Sequence, residues 1–382
     1  MFLLKLVLRN AFRHRLRTLL TVTGLAIAVL AYGMLQTVVE AWYAGAAAAS
    51  GTRLVTRSAI SLAVFLPASY ETRIRGVEGV KRTARSNWFG GIYQEPKNFF
   101  PQFAVSDNYL ELYPEFVLAD DERAAWMRDR KGALVGRQLA DKFGFKVGDV
   151  LPIRGTIYPG TWEFVVRGIF DGSDSSKVTS HMLFHWDYLN ETMRKTGRRA
   201  NFVGVYIVGI DDSDNVAQIS TSIDAEFRNS LAETLTESEQ AFQLGFVAMS
   251  DQIIAAIRIV SYVVILIILA VMANTMAMSA RERTSEYATL KAIGFGPSFL
   301  ALLILGESLL ICALGGALGM ALTLPAAAFF KKVAAIFPIF AVSADTLLLQ
   351  AACALAVALV AAVVPAVRAA RVRIVDGLRA IA

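Results

Sequence analysis

Four long apolar stretches constrain this chain most, because each is long enough to cross a membrane as a helix. They are Thr18–Val39, Ile259–Ala280, Ser308–Phe330 and Thr346–Val367. A spanning helix needs about 20 predominantly apolar residues, and a long, more polar insert separates the first stretch from the other three. The sequence therefore predicts a membrane α-helical protein with four transmembrane helices and one large domain outside the bilayer.

The composition fits this class of protein. Hydrophobic residues make up 55% of the chain, which is more than an ordinary soluble protein carries. Charged residues make up 18%, which is too many for a bare helical bundle, so most of them must lie in the insert and the loops. Both cysteines, Cys312 and Cys353, fall in predicted spans. We therefore expect the inserted domain to be stable without disulfides.

The distribution of lysine and arginine predicts the orientation, since cytoplasmic flanks of spanning helices are rich in these residues. Lys331 and Lys332 lie in the short loop between the third and fourth spans. The opposite side carries twelve basic residues: Lys5, Arg9, Arg13, Arg15, Arg17, Arg281, Arg283, Lys291, Arg368, Arg371, Arg373 and Arg379. We expect both termini in the cytoplasm, the insert outside a bacterial inner membrane, and anionic lipids rather than nucleic acid as the counter-charge.

These signals together predict an order of segments along the chain. The four spans cover 18–42, 251–280, 298–330 and 346–367. Outside the membrane, an extracytoplasmic domain with helical stalk ends covers 43–250 and a short external loop covers 331–345. On the cytoplasmic side, an amphipathic segment covers 1–17, a loop with a helix covers 281–297 and a tail covers 368–382. Cleavage of the first span as a signal peptide is the alternative. We disfavour it because its apolar core exceeds the 7–15 residues typical of such signals.

The insert has the mixed pattern of an α+β domain. Strands are predicted at Leu151–Arg154, Trp162–Phe170 and Val203–Ile210, a hairpin connection at Gly155–Gly160, and helices at Val135–Phe143 and Asn215–Arg228. Gly90–Asp129 interrupts the pattern, so we expect two lobes. Leu231–Arg258 has a helical composition that leads without proline into the second span. Helical ends on both sides of the domain would form a stalk.

The loop between the second and third spans, Met278–Pro297, predicts a short amphipathic helix. Its polar positions are Arg281, Glu282, Arg283 and Glu286, and its apolar positions are Tyr287, Leu290 and Ile293. Gly294 provides a C-terminal stop, and Pro297 opens the next helix. A solvated connector would explain a simple chain reversal. The mixture of charges with an apolar edge favours instead a docking site for a cytoplasmic partner.

Several segments in chain order carry a family resemblance. They are LRNAFRHRLRTLLTVTGLAIAV before the insert, VEGVKRTARSNWF, GALVGRQLADKFGFKVGDVLPIRG and WEFVVRGIF within it, and SARERTSEYATLKAIGFGPSFLALLILGESLL with GGALG after it. These segments resemble the MacB/FtsX-like ABC transporter permeases over essentially the whole chain. Relatives of this group include MacB-type exporters and the LolC-type permeases that release lipoproteins.

The resemblance implies a dimer of permeases, here a homodimer, that recruits two cytoplasmic ATPase subunits through the loop between the second and third spans. By carry-over, the ATPase-coupling residues are Arg281, Glu282, Arg283, Glu286, Leu290 and Lys291. The chain contains no ATP-binding phosphate loop ending in Gly-Lys-Ser or Gly-Lys-Thr. We therefore expect no catalysis and no cofactor in this chain, with ATP and Mg²⁺ bound by a separate ATPase.

The resemblance also implies a mechanism of mechanotransmission. ATP-driven motion on the inside would be relayed through the stalk to the outer domain, which exports or extracts an amphiphilic substrate such as a drug, lipid or lipoprotein. An adaptor or lipoprotein carrier in the periplasm would be a further partner. The alternative is an FtsX-like regulator that activates an external cell-wall hydrolase. A pure sensor is disfavoured, because no cytoplasmic signalling domain is present in the sequence.

Three residues of the third span are candidate functional or structural positions. Glu307 lies roughly 14 Å into the predicted helix, where an ionised carboxylate is costly. A role in coupling and a carboxyl packed against another helix are both open. Gly315 and Gly319 have the spacing that permits close helix approach, at a contact within the subunit or between subunits.

Catalytic and metal chemistry have little support. His185 lies in the segment MLFHWDYL, which we interpret as a strand entering a turn, and His181 immediately precedes that segment on the same face. No third or fourth ligand accompanies the two histidines. Asp211, Asp212 and Asp214 precede a helix and serve as its caps, without the glycine and glutamate spacing of an EF-hand. The sequence therefore predicts neither a catalytic site nor a metal site.

Overall fold

The computed structural model describes residues 2–47, 49–173, 178–333 and 340–374. Parts of the predicted external loop, 334–339, and of the tail, 375–382, lie outside these residues. The chain divides into two units: a membrane unit formed by Met1–Trp42 and Ser250–Ala382, and an inserted domain formed by Tyr43–Met249.

Helices occur in both units. They are α1 (Phe2–Ala11), α2 (Arg15–Ala47), α3 (Tyr70–Arg75), α4 (Tyr109–Leu112), α5 (Asp120–Arg128), α6 (Arg137–Phe143), α7 (Trp186–Lys195), α8 (Val216–Glu226), α9 (Glu239–Ala248), α10 (Asp251–Glu282), α11 (Thr284–Ala292), α12 (Pro297–Val333) and α13 (Ala344–Ala370). Four of them, α2, α10, α12 and α13, are long and apolar enough to span a membrane. Together with the mixed α+β inserted domain, these helices confirm the predicted fold class.

The amphipathic N-terminal helix α1 packs on the membrane unit. Val7 and Ala11 are buried, and Val7 lies against Gly306 of α12, where an added Cβ would come within 3.0 Å of a Val7 methyl group. The apolar face of the predicted amphipathic segment therefore packs in part against a spanning helix. Glycine at position 306 leaves the space for that contact.

Strands form the centre of the inserted domain. They are β1 (Arg53–Ser58), β2 (Leu66–Pro67), β3 (Val80–Trp88), β4 (Ile92–Tyr93), β5 (Gln102–Val105), β6 (Phe116–Val117), β7 (Gly132–Gly136), β8 (Val150–Gly155), β9 (Gly160–Gly172), β10 (Met182–His185), β11 (Phe202–Val203), β12 (Val205–Ile210) and β13 (Thr234–Ser238). One sheet has the order β13-β1-β12-β3-β5-β10-β7-β9-β8-β4, with β6 paired to β9. Neighbours are antiparallel except for β5 with β10 and β7 with β9, which are parallel.

The long sheet packs apolar side chains on both faces. Along β1, Leu54 and Val55 belong to different hydrophobic clusters, as do Tyr206 and Ile207 along β12. Successive residues of a strand point to opposite faces, so each face has its own core. The prediction of two separate lobes is therefore wrong. Strand β5 comes from the region Gly90–Asp129 that was expected to divide the lobes, and it lies in the middle of one continuous sheet.

Several local predictions are confirmed in the inserted domain. The hairpin connects β8 to β9, with Gly155 paired to Gly160. The helix expected from Val135 begins at Arg137, because Val135 belongs to β7, and it ends at Gly144 with a φ of 73°. Glycine tolerates that left-handed conformation without strain.

The helical prediction for Leu231–Arg258 is wrong in its first part. Residues Thr234–Ser238 form strand β13, which pairs with β1, and a turn at Met249–Ser250 separates α9 from α10. Thr234 and Thr236 give the strand its β-branched residues, and both hydroxyls donate to the Asp224 carboxylate. By contrast, α2 on the other side of the domain is one continuous helix.

A buried charge cluster ties the edge of the sheet to α9. Arg53 Nε donates to Glu239 Oε2 at 2.8 Å, and Arg53 Nη2 donates to Glu115 Oε1 at 2.6 Å. Arg53 Nη1 donates to the Leu112 carbonyl oxygen, and the guanidinium lies 4.2 Å from the centre of the Tyr113 ring. Burial opposes the charge, but the two carboxylates outweigh it and raise the pKa of Arg53.

Candidate functional site

The loop between the second and third spans contains one sharp junction, at Arg283. This residue ends α10 and begins α11, and its backbone there departs from helical geometry, with a φ of −107° and a ψ of 16°. The junction turns the arginine side chain into the membrane unit, where the residue is 6% exposed. The predicted short helix is present as α11, Thr284–Ala292, and Arg283, which immediately precedes it, points inward.

Arg283 forms a buried ion pair with Glu307 of α12. Its Nη1 atom donates to Glu307 Oε1 at 2.5 Å, and the two side chains are 7% and 5% exposed. Arg283 Nε also donates to Glu286 Oε2 at 3.2 Å, and its guanidinium lies 5.7 Å from the centre of the Tyr287 ring. A buried charge is tolerated only when it is paired. Arg283 is thus the partner that accounts for Glu307 inside a spanning helix.

Neighbouring charges favour the ionised forms of Arg283 and Glu286. Burial works against the charge of Arg283, but the Glu307 carboxylate beside it outweighs burial and raises the pKa of Arg283. Partial burial likewise opposes ionisation of Glu286, yet hydrogen bonds from Arg13 and Arg283 hold its pKa below the ordinary value. Burial raises the pKa of Tyr287 to about 12, so its hydroxyl stays neutral.

Two further ion pairs join the loop to the N-terminal segment. Arg13 Nη1 donates to Glu286 Oε1. Arg17 makes a bidentate pair with Glu282, at 2.6 and 2.7 Å, near the start of α2. Both pairs are partly exposed, so each contributes little stability alone. The fork geometry of the Arg17 pair fixes position, because a bidentate arginine constrains both distance and angle.

The end of α11 contacts the end of α13. Lys291 Nζ donates to the carbonyl oxygens of Ala370 and Val372, at 2.7 and 2.8 Å. Leu290 is half-buried at the edge of the membrane-unit core. Two of the six predicted coupling residues, Arg283 and Glu286, lie together beside Glu307. Two others, Glu282 and Lys291, bind neighbouring elements, and Arg281 is exposed.

The most exposed apolar residue at the end of α11 is Ile293, which is not among the six predicted coupling residues. Ile293, which follows the helix, is 71% exposed, and Thr289 and Ala292 on the same stretch are exposed as well. Gly294 then reverses the chain with a φ of 104°. The signal for Ile293 was its helical spacing from Tyr287 and Leu290. Of these three apolar residues, Tyr287 is buried and Ile293 remains available to a partner.

Gly315 and Gly319 are contact points between helices of the same subunit. A Cβ added to Gly315 would lie 2.7 Å from Leu25 Cδ2, and one added to Gly319 would lie 2.7 Å from the Ala26 carbonyl oxygen. Both contacts are with α2, which crosses close to α12 at these positions. The intramolecular alternative for the glycine pair therefore has direct geometric support.

We expect Gly319→Ala to lower the melting temperature of the protein by several degrees. The new methyl group meets a backbone oxygen that cannot rotate away, and overpacking of this kind costs about 1–3 kcal/mol. Gly24→Ala on α2 is the matched control, because a Cβ added there would have no atom within 4 Å apart from the backbone and chain neighbours of its own helix. The measurement is thermal unfolding of the purified protein in detergent. Equal melting temperatures for the two variants would contradict the close approach of α2 and α12.

The two histidines have structural surroundings. His181 is buried beside Phe103, Phe116 and Phe170, and burial lowers its pKa to about 4. His185 is stacked on Trp126, with Nδ1 2.8 Å from Asp107 Oδ1. Within the described residues, no group of three or more histidine, cysteine or acidic side chains could hold a metal ion.

Two family profiles match the chain in succession. Residues 18–226 match the MacB-like periplasmic core domain, which covers more than half of the chain. Residues 258–374 match the C-terminal region of FtsX-like permeases, which contains the Arg283–Glu307 pair and α11. The two matches thus cover the first span with most of the inserted domain, and most of the three spans that follow it.

Individual proteins similar to this chain include one permease and two extracytoplasmic domains. An uncharacterized ABC transporter permease of Methanocaldococcus jannaschii is 23% identical over 333 residues, covering 82% of this chain and 80% of that protein. The extracellular domain of the noncanonic ABC-type transporter YknZ from Gram-positive bacteria aligns with 49% of this chain and all of its own length, at 12% identity and a TM-score of 0.35. The periplasmic region of MacB from Actinobacillus actinomycetemcomitans aligns with 51% of this chain and 92% of its own length, at 7% identity and a TM-score of 0.36.

Proposed function

This chain belongs to the ABC transporter permeases of the MacB/FtsX type, and we propose that it converts ATP hydrolysis by a partner into movement of its inserted domain. The family implies a cytoplasmic ATPase as that partner, and ATP and Mg²⁺ would be bound there. We place both termini and α11 in the cytoplasm and the inserted domain outside the inner membrane, on the distribution of basic residues. Two copies of the chain would assemble with two ATPase subunits.

The observation that carries this proposal is the Arg283–Glu307 pair. Arg283 belongs to the junction that positions α11, and Glu307 lies inside α12, so the pair joins the loop directly to a spanning helix. A displacement of α11 that broke the pair would leave two charges buried without partners, at a cost of several kcal/mol. The low-energy response is for α12 to move with α11. The Arg13–Glu286 and Arg17–Glu282 pairs extend the same linkage to the N-terminal segment.

We propose that α2 carries the motion outward. Its 33 residues form one helix about 50 Å long, which exceeds the roughly 30 Å hydrocarbon core of a bilayer. On the C-terminal side of the inserted domain, a turn at Met249–Ser250 separates α9 from α10. A continuous helix transmits displacement along its axis, whereas a turn allows the two helices beside it to reorient. We therefore propose α2 as the stiff element of the predicted stalk.

The function that this arrangement favours is export or extraction of an amphiphilic substrate on the outer side of the membrane. The inserted domain has an apolar cavity with a basic mouth, which supports transport over activation of a cell-wall hydrolase. A hydrolase regulator would use the inserted domain as a protein-binding surface and would have no use for such a cavity. A periplasmic adaptor or lipoprotein carrier would receive the substrate.

The docking role of α11 is tested at its exposed end. We expect Ile293→Asp to abolish co-purification of the ABC ATPase subunit, because a carboxylate replaces the apolar group that faces the partner. The fold should be unaffected, since that residue is 71% exposed. Leu231→Asp is the matched control: it makes the same kind of change at a residue of the inserted domain that is 97% exposed. Retention of the ATPase by the Ile293 variant, or equal loss in both variants, would contradict this assignment.

A further inference from the structure

The inserted domain contains a cavity of a size that suits a small molecule. Its volume is about 340 Å³, and side chains from β3, the β8–β9 turn, α7 and β11 line it. Ligand sites in proteins usually occupy about 300–1,000 Å³, so this cavity lies at the small end of the range. It would hold one acyl chain of medium length and would exclude a phospholipid with two long chains.

The wall of the cavity is apolar and aromatic. Its main contributors are Phe65, Tyr158, Trp186, Leu189, Met193 and Phe202. Tyr158, Trp186, Leu189 and Met193 are each less than 10% exposed, so they form a fixed surface within the domain core. A wall of this composition gains free energy when an aliphatic chain displaces water from it.

The polar atoms at the floor of the cavity are already satisfied. Asn87 Nδ2 donates to the Tyr158 hydroxyl at 3.0 Å, and Asn87 Oδ1 accepts from Trp186 Nε1 at 3.0 Å and from the Gly204 backbone nitrogen at 3.1 Å. Asn190 and Asn201 hydrogen-bond each other in the same way. The floor therefore makes no demand for a polar ligand group, and an apolar group can enter without leaving these amides unpaired.

The mouth of the cavity is positively charged. Arg198 and Arg199 line it, both are exposed, and no acidic residue is among the described residues that line it. Arg198 has one long hydrogen bond, 3.4 Å, to the Pro159 carbonyl oxygen. Arg199 makes no hydrogen bond or ion pair with any residue that the structure describes. Two guanidinium groups with unused donors at the entrance of an apolar cavity are complementary to an anionic head on an apolar tail.

The loop that carries these arginines is held in place. Asn201 adopts a φ of 64° and its backbone nitrogen donates to Asn190 Oδ1 at 2.6 Å, while Arg194 donates to Asn201 Oδ1. Gly197, with a φ of 67°, lets the chain turn back toward α7. The backbone that carries the two arginines is thus anchored on α7, and a preorganised backbone loses less entropy on binding.

We propose that this cavity binds a single-chain amphiphile with an anionic head, a carboxylate or a phosphate. The tail would lie against Trp186, Leu189 and Met193, and the head would be bound by Arg198 and Arg199. The inference deepens the proposed function, and it rests on that function only for the claim that the bound amphiphile is the transported one. Binding itself requires neither ATP nor the ATPase.

The test is photo-labelling of the full-length permease in phosphatidylcholine nanodiscs, without ATPase, by dodecanoate that carries a diazirine on its tail. We expect saturable labelling of peptides that line the cavity, in addition to non-saturable labelling of the spanning helices by probe dissolved in the bilayer. Unlabelled dodecanoate and dodecyl phosphate should compete for the cavity. Dodecyltrimethylammonium, with the same tail and a cationic head, should not compete.

Two variants separate the tail site from the head site. Ala63→Trp places a bulky ring at the exposed rim and should remove cavity labelling, while labelling of the spanning helices stays constant as an internal control. Arg198→Gln with Arg199→Gln should weaken saturable labelling about tenfold or more, the loss expected for charged hydrogen bonds of about 1.5–3 kcal/mol. Arg123→Gln with Arg128→Gln removes the same charge from exposed positions of α5, away from the cavity, and should leave labelling unchanged.

Three results would overturn the proposal. They are labelling confined to the spanning helices, competition by the cationic amphiphile equal to that by dodecanoate, and equal loss of labelling in the two double-arginine variants. Because no ATPase is present, a failure here leaves the coupling role of α11 untouched. The opposite combination is also possible to recognise. If the cavity is labelled but the Ile293→Asp variant still binds the ATPase, the ligand site is supported and the docking assignment is contradicted.

Discussion

Glu307→Gln is expected to leave the ATPase bound and active while the response of the inserted domain to ATP becomes much smaller. The substitution keeps the shape of the side chain but removes the charge that pairs with Arg283 at 2.5 Å in a buried position. Ile293 and the exposed surface of α11 are unchanged, so docking should persist. Coupling free energies of about 1–3 kcal/mol correspond to effects of about 5-fold to 150-fold, and we expect the ATP-dependent response to fall by a factor within this range.

The response is measured as the ATP-dependent change in hydrogen exchange of residues 43–249, in the full complex in nanodiscs. The variant should also melt at a lower temperature, because breaking a buried pair costs about 3–5 kcal/mol, and Glu286, 3.2 Å from Arg283 Nε, offsets part of that cost. The matched control is Glu282→Gln, which breaks the partly exposed pair with Arg17. It should have a small effect on melting. A native response to ATP in the Glu307 variant would contradict the relay through α12.

Arg53→Met is expected to destabilise the inserted domain by about 3–5 kcal/mol, because it leaves the buried carboxylate of Glu239 and the largely buried carboxylate of Glu115 without their shared cation. The methionine side chain retains apolar contact with the Tyr113 ring, so the loss reports mainly on charge. Four of the five tryptophans lie in the inserted domain, and thermal unfolding followed by tryptophan fluorescence therefore reports on that unit.

Arg57→Met on the same strand provides the comparison. Arg57 pairs with Glu237 at 2.9 Å, but both side chains are more than 20% exposed. Surface pairs of this kind contribute about 0–1 kcal/mol, so its melting temperature should stay close to that of the native protein. Similar melting temperatures for the two variants would show that the Arg53 cluster does not hold the sheet edge to α9.

The spanning helices and the domain order were predictable from sequence because they depend on local composition. Twenty or more apolar residues in a row have few alternatives to a membrane helix, and turn residues such as Gly144 mark helix ends through backbone sterics alone. The order of strands in the sheet was not predictable in this way. The central position of β5 depends on pairing with β3 and β10, which are distant in sequence.

The candidate site shows the same limit at the level of single side chains. Helical spacing correctly placed Glu286 and Leu290 on one short helix, but it placed Arg283 there too, whereas Arg283 lies at the junction before α11, and it could not indicate which side chains face the protein interior. That direction is set by the break at Arg283 and by Glu307, which is 24 positions away. Glu307 in a span was the signal that a buried cation was required, and Arg283 is the nearest arginine that precedes it in sequence.

The relay is tested most directly by the double variant Arg283→Met with Glu307→Met. Replacing both members of a buried pair by apolar residues is often neutral or stabilising, so this variant separates stability from coupling. We predict near-native melting, normal co-purification of the ATPase, continued ATP hydrolysis, and loss of the ATP-dependent change in hydrogen exchange across residues 43–249. A native change in exchange in this variant would contradict the claim that the Arg283–Glu307 pair carries ATP-derived motion from α11 into the membrane.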